Sequence, residues 1–343
     1  VVRFPSAVAH ALVGAAPPAA DDLLLGDPGA FVRPAGFDPA RAPRVRSYPG
    51  GDDFLRQART PSHLRVTLCG WLAAAYGADR VLLAEQPSPA AIEALTHKAL
   101  LSSGAAEGPV DLVYVVDTGV KARVLAGVAA EIHGELTLTA QSFRAPGARR
   151  LRFTVGGEVV DAPACAAAVL PPEVLAAAGG GVLLLDVGFR RTKAAVVSRE
   201  GCVLQTEHEP LGFADCVRRI LRDAQDHGLV EDEFAVIRAL EAAPRLLAIA
   251  GRQFAVGEIL DRAVADLADA VARAAARDLA DDFGRRGAAC GAAAIFGGAT
   301  PIVGPAIAAR LRAADLGLRT IWLPPEPNGL LLAGARRLQA ISP

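Results

Sequence analysis

The chain has 343 residues, with 36 basic side chains against 37 acidic ones and a formal net charge of −1. That length suits two domains or one bilobed body, and the charge balance excludes a global electrostatic attraction to nucleic acid. Apolar residues make up 52% but aromatics only 5%, so the cores must be built from Ala, Val and Leu. The five cysteines, Cys69, Cys165, Cys202, Cys216 and Cys290, are far apart and form no C-x-x-C pair, and the six histidines are isolated. No zinc pattern results, and the thiols read as buried groups in a reducing cytoplasm. No uninterrupted apolar run reaches about 18 residues, so no membrane span is expected. The first residues lack the pattern of a secretory signal.

In chain order, residues 15–50 are rich in Pro, Gly, Ala and Asp, which predicts loops with short strands at LLLGD and AFVRP. Pro61 to Gly77 has a Ser cap signal before an apolar run and predicts a helix. A second helix is expected over 90–103. DLVYVVDTG, residues 111–119, is a continuous apolar run that predicts a buried parallel strand, followed by a helix stopped at Gly134. ELTLTAQSF and RLRFTVGGEVV alternate around APGAR, as antiparallel strands do. The segment up to the glycine triplet 179–181 reads as helix and turn, and the triplet as a hinge.

The second half predicts strands at VLLLDVG and on both sides of the turn REG, then an amphipathic helix, GFADCVRRILRDAQDHG. A long helix with apolar residues at three- and four-residue spacing starts at VGEILDR. GAAAIFGGATPIVGPAIAARL is a strand, a glycine turn and a helix, and TIWLPPEPNGLLLAGARRLQAI is a strand, a proline turn and a last helix. The fold class is α/β in two lobes, 1–178 and 179–343, each expected to hold a mostly parallel sheet with helices on both faces. The last helix is expected to return to the first lobe.

Two short motifs carry the chemistry. In VLLLDVGFRRTKAAVV, Asp186, Gly188 and Thr192 interrupt an apolar hairpin. A glycine bend brings backbone N–H groups and a hydroxyl to phosphate oxygens, and a carboxylate at the strand end holds the water shell of Mg²⁺. Arg190, Arg191 and Lys193 offset phosphate charge. A polar surface hairpin has the same outline, so this motif alone does not decide. In IFGGATPIVGPAIAARL, Gly297, Gly298 and Ala299 bend the chain between a strand and a helix. Such a bend lets the backbone approach a flat ligand, with a helix N-terminus that favours an anion. The two motifs together, with helices between them, are far more specific than either.

The pairing resembles the superfamily of sugar kinases, Hsp-type chaperones and actin, and within it the bacterial actin-like ParM/StbA group. LLLDVGFRRTKAAVV resembles that group's second phosphate loop, EPLGFADCVRRI the Gly-x-x-Asp segment that opens a helix, and AAIFGGATPIVGPAIAARL its adenosine turn. RFPSAVA and DLVYVVDTGVKARVLAGVAAEIHG are similar to its F-P-S and G-L-P-V segments. The resemblance implies a two-lobed actin-like (ribonuclease H-like) ATPase fold with a nucleotide cleft between the lobes. It further implies ATP/ADP with Mg²⁺, filaments built by self-association, a DNA-binding adaptor protein as partner, plasmid segregation as the role, and a cytoplasmic location. Nucleotide-binding residues carried over are Asp186 (the metal, through water), Gly188, Arg190, Thr192, Lys193, Gly297, Gly298 and Ala299.

Three departures qualify it. F-P-S stands at residues 4–6 and the chain has no methionine. The first phosphate loop, which precedes F-P-S in the family, is therefore expected to be lost or to lie upstream of the given sequence. Arg191-Thr192-Lys193 replaces Thr-Thr-Asp. Ala164 occupies the slot of the water-orienting Glu or Gln, and the nearby Glu173 has the wrong context for that role. Slow hydrolysis is expected, since phosphoryl transfer depends on positioning. A non-hydrolysing nucleotide-binding scaffold is the alternative, and a small-molecule kinase of the same superfamily or a plain α/β interaction module are others.

Overall fold

The computed structural model describes residues 7–12, 30–33, 54–59, 64–69, 81–82, 95–96, 99–100, 107–116, 126–127, 130, 133–142, 148–198, 201–208, 210–226, 236–237, 240, 246–249, 252–283 and 289–341. The chain divides into two compact units, Val1–Val159 and Val160–Pro343. The expected LLLGD strand, the F-P-S segment and the REG turn lie wholly or mostly outside the described residues.

The first unit contains two four-stranded sheets. One has the order β3 (Phe54–Arg59), β4 (Leu64–Cys69), β1 (Ala7–Leu12), β5 (Val81–Leu82), and its pairs are antiparallel. The other has the order β2 (Ala30–Arg33), β7 (Gly134–Ser142), β8 (Ala148–Asp161), β6 (Gly108–Val116). In it β2, β7 and β8 pair antiparallel. The mostly parallel sheet expected here is corrected: β3 with β4 and β7 with β8 are joined by short connections, which must return antiparallel, and β1 and β2 add antiparallel partners from afar. The helix expected over Pro61 to Gly77 is corrected as well, because Leu64–Cys69 is a strand between two partners. LRVTLC alternates apolar and polar residues and contains Val and Thr, a two-residue period that outweighs the Ser cap signal.

β6 is a strand as expected, but only Val116 at its end is buried, and the rest is half-buried or exposed. Among the described residues it lies at the edge of its sheet beside β8, instead of between two strands. Residues 95, 96, 99 and 100 are helical, in agreement with the helix expected over 90–103. Thr96 of that stretch shares a 3.1 Å hydrogen bond with the Tyr114 hydroxyl on β6. Burial pushes the Tyr114 phenol up from its ordinary value.

The second unit is built on one five-stranded sheet of order β11 (Gly201–His208), β10 (Thr192–Ser198), β9 (Gly181–Val187), β14 (Cys290–Phe296), β15 (Thr320–Trp322). β9, β10 and β11 form an antiparallel meander, while β9, β14 and β15 run parallel. The sheet is mixed, not mostly parallel. A separate hairpin, β12 (Leu246–Ile249) with β13 (Arg252–Ala255), was not expected from the sequence.

Strand alternation divides the sheet's side chains between two cores. Leu183, Leu185, Val187, Ala194, Val196, Ala293 and Ile295 face one core. Three helices complete it: α3 (Ala214–Asp226), α4 (Gly257–Asp278) and α5 (Thr300–Ala313). Each helix presents buried residues at three- and four-residue spacing, as in Phe213, Cys216, Val217 and Ile220 around α3. Val182, Leu184, Ala195, Val197, Ala292, Ala294 and Phe296 face the opposite core. That core is covered by α1 (Ala162–Ala168), α2 (Pro172–Ala177) and α6 (Leu330–Ile341). Burying each large aliphatic side chain contributes roughly 1.5–3 kcal/mol. Residues 160–178, assigned to the first lobe by sequence, pack in this second unit, and α6 packs on α1 within it.

Candidate functional site

The expected residues from both motifs converge at one end of the second unit's sheet. β9 and β14 are parallel neighbours in register, with Asp186 opposite Phe296. The chain leaves β9 at Val187-Gly188 and leaves β14 at Gly297, so the hairpin tip and the glycine bend emerge side by side. The Ala299 N–H donates to the Val187 carbonyl at 3.0 Å and ties the bend to the hairpin. Gly297 has φ +104, and a Cβ there would collide with the Asp186 carboxylate and lie 2.8 Å from the Val187 carbonyl oxygen. Only glycine lets Asp186 stand against the bend. Gly298, in contrast, is exposed, and a Cβ there would meet nothing within 4 Å.

The hairpin tip, residues 188–191, is closed by the Gly188 N–H donating to the Arg191 carbonyl at 3.0 Å. It rests on Gly212, whose missing side chain leaves room for the backbone of Phe189, Arg190 and Arg191. The N–H groups of Phe213 and Ala214, at the entry of α3, donate to the carbonyls of Gly188 at 3.2 Å and Phe189 at 2.7 Å. The Thr192 hydroxyl donates to the Leu211 carbonyl at 2.6 Å, and Thr192 is 1% exposed. Thr192 thus holds the hairpin to the 210–213 loop. The Arg190 guanidinium lies 5.5 Å from the Phe189 ring centroid, and Arg191 forms an ion pair with Glu207.

At the second bend, the Thr300 N–H donates to the Gly297 carbonyl at 3.1 Å, and the Ile302 N–H to Ala299 at 3.0 Å. Pro301 has no N–H to offer. The first turn of α5 is largely satisfied by backbone, so what the bend offers a ligand is the open surface at Gly298. Thr300, which the sequence reading missed, is 3% exposed, and its hydroxyl oxygen has no hydrogen-bond partner. The available signal was its place as the first helical residue after the bend.

Ala164 is exposed on the first turn of α1 and supplies no carboxylate there; Glu173 is exposed on α2. Beside the hairpin, on the α4 face of the sheet, Asp278 is 4% exposed and accepts from the Thr206 hydroxyl at 2.8 Å and from His208 Nε2 at 2.6 Å. This cluster was also unforeseen. The Cys216 thiol is pushed up to about 12 and Cys290 to about 11, in both cases chiefly by burial, with Arg219 partly opposing it at Cys216. Neither thiol is a nucleophile near neutral pH. Among the described residues, no helix is long and apolar enough to cross a membrane.

No protein-family model matches the chain, and no curated relative matches it. Solved structures do. The archaeal actin homolog Ta0583 is 18% identical, with a TM-score of 0.63 over 99% of this chain and 92% of that one. The same homolog in complex with ADP has a TM-score of 0.61 at 18% identity, covering 82% of this chain and 86% of that one. A ParM from Clostridium botulinum, solved as a 15-stranded filament, has a TM-score of 0.60 at 12% identity over 98% and 93%. At these identities the likeness establishes the fold, and the chain has the actin-like α/β fold.

Proposed function

We propose that this protein is an actin-like nucleotide-binding protein of the ParM/StbA kind, which binds ATP or ADP and self-associates into filaments with slow hydrolysis. The observation that carries this reading is the junction of Asp186 with Gly297, which sets a charged hairpin tip beside an open glycine bend. The tip suits polyphosphate through the cations Arg190, Arg191 and Lys193, with Gly188 closing the turn that presents them. The bend of Gly297, Gly298 and Ala299 suits the flat nucleoside. Thr192 acts in this reading by fixing the hairpin. Two facts about structural neighbours support it: Ta0583 was solved with ADP, and a ParM was solved as a filament. Plasmid segregation, through a DNA-binding adaptor and in the cytoplasm, is the biological role that goes with it.

The Mg²⁺ implied by the resemblance does not fit this donor set. Asp186 stands against the Gly297 backbone on one side and opposite Lys193 on the other.

Ala164 favours a second reading, a nucleotide-binding scaffold that does not hydrolyse. Single-turnover phosphate release separates the two. Ala164→Glu accelerates release if the rest of the site is competent, and leaves it unchanged in a non-hydrolysing scaffold. ATP-dependent sedimentation of the full chain tests assembly; absence of both nucleotide binding and sedimentable polymer would sink the proposal.

A further inference from the structure

Lys193 occupies an unusual position in the sheet. It lies directly opposite Asp186 on β9 and directly opposite Glu207 on β11. All three side chains project to the face shared with Leu184 and Ala195, just past the buried core on that face. Neighbouring strands are about 4.8 Å apart, so the two carboxylate-bearing positions are about 10 Å apart with the lysine between them. A divalent ion bridging the two carboxylates would need the space that Lys193 takes. One Asp186 oxygen lies against the Gly297 backbone, where a Cβ would collide with it, which further limits its approach to a hydrated ion.

The charge count leads the same way. The hairpin carries Arg190, over the Phe189 ring, Arg191, paired with Glu207, and Lys193, opposite Asp186 and Glu207: three cations with two carboxylates. The tip is net positive without any metal. An acidic residue at 193 would reverse that sign and make a bound cation necessary before a polyphosphate could approach. The lysine ammonium is a compact charge on a flexible stem, able to stay near Asp186 and still reach an incoming anion.

We propose that Lys193 takes the place of the divalent cation, so that this protein binds a nucleoside polyphosphate without Mg²⁺. The inference rests on the nucleotide-binding reading of the hairpin and bend. Its test is equilibrium binding of ATP, and of inorganic tripolyphosphate as a base-free probe, to the full chain near neutral pH, in EDTA and in excess Mg²⁺. The unaltered protein is expected to bind ATP in EDTA within about threefold of its affinity in Mg²⁺. Lys193→Ala is expected to weaken binding in EDTA by about ten- to a hundredfold, the range of one charge-assisted contact. Lys193→Arg keeps the charge and controls for folding; it should retain binding in EDTA. Lys193→Asp should make binding require Mg²⁺. Loss of more than about thirtyfold in EDTA by the unaltered protein overturns the inference while leaving the nucleotide site standing. No ATP binding under either condition overturns the site itself, and the inference with it.

Discussion

The two faces of the second unit's sheet end differently, although the same strands β9, β10 and β11 build both. On the face toward α3, α4 and α5, the polar residues at the hairpin end are individually bonded: buried Thr192 to the Leu211 carbonyl, and half-buried Thr206 and His208 to buried Asp278. On the face toward α1, α2 and α6, the same cross-strand rows carry Asp186, Lys193 and Glu207, which are half-buried or exposed. Buried polar groups must be satisfied by fixed partners, because an orphaned one costs about 1–3 kcal/mol. Charges that reach solvent are screened and change partners at little cost. One face is therefore closed by fixed bonds, and the other carries the charged residues on which the proposed binding rests.

Substitutions that contrast neighbouring positions test this division. The largest effect is expected at the bend. Gly297→Ala forces a side chain into a left-handed conformation and against Asp186, and should destabilise by about 3 kcal/mol in urea unfolding. Gly298→Ala, with open space around it, should cost under about 1 kcal/mol. Equal effects at the two glycines would show that the bend does not depend on the Asp186 contact. Next, Asp278→Ala leaves Thr206 and His208 without their buried acceptor and should cost about 2–4 kcal/mol. Glu207→Ala, which removes an exposed partner of Arg191, should cost about 0–1 kcal/mol. If Glu207 proves the costlier of the two, the assignment of structural and binding faces is reversed.

A smaller change is expected from Thr192→Val, about 1–2 kcal/mol from the lost bond to Leu211. ATP affinity should change little, since the hydroxyl serves the fold; a large loss would give Thr192 a direct role. The smallest effect at neutral pH concerns the thiols. Cys216 and Cys290 have folded values raised to about 12 and about 11. Their neutral forms stabilise the fold fully below the ordinary thiol value. That contribution is lost as pH rises from about 9 through 11 to 12. Thermal unfolding of the serine variants should therefore be less sensitive to pH in this alkaline window, with little difference in slope below it.

Much of the second unit was legible because its signals are local and sustained. α4 repeats its apolar spacing over 22 residues, and β9, β10, β14 and α5 are separated by clear turn residues. The eight residues expected at the site, Asp186, Gly188, Arg190, Thr192, Lys193, Gly297, Gly298 and Ala299, come from two short motifs that the fold brings to one end of the sheet. Short segments were less legible. The alternation of β4 spans only six residues and follows a helix-cap signal, which is why a helix is expected there, and the β12–β13 hairpin gave no distinct alternation at all.

Sequence by itself determined the α/β class, the order of most second-unit elements and the chemical types available at the site, since periodicity and turn chemistry are written in consecutive residues. Tertiary structure alone decided strand direction and pairing partners, which depend on how the chain returns. It decided that Thr192 is consumed by Leu211, that Asp278 gathers Thr206 and His208 from a strand some 70 positions away, and that Thr300 is buried without a partner. It also decided that Lys193 lies between two carboxylates, because register across three strands places residues together that no stretch of sequence does.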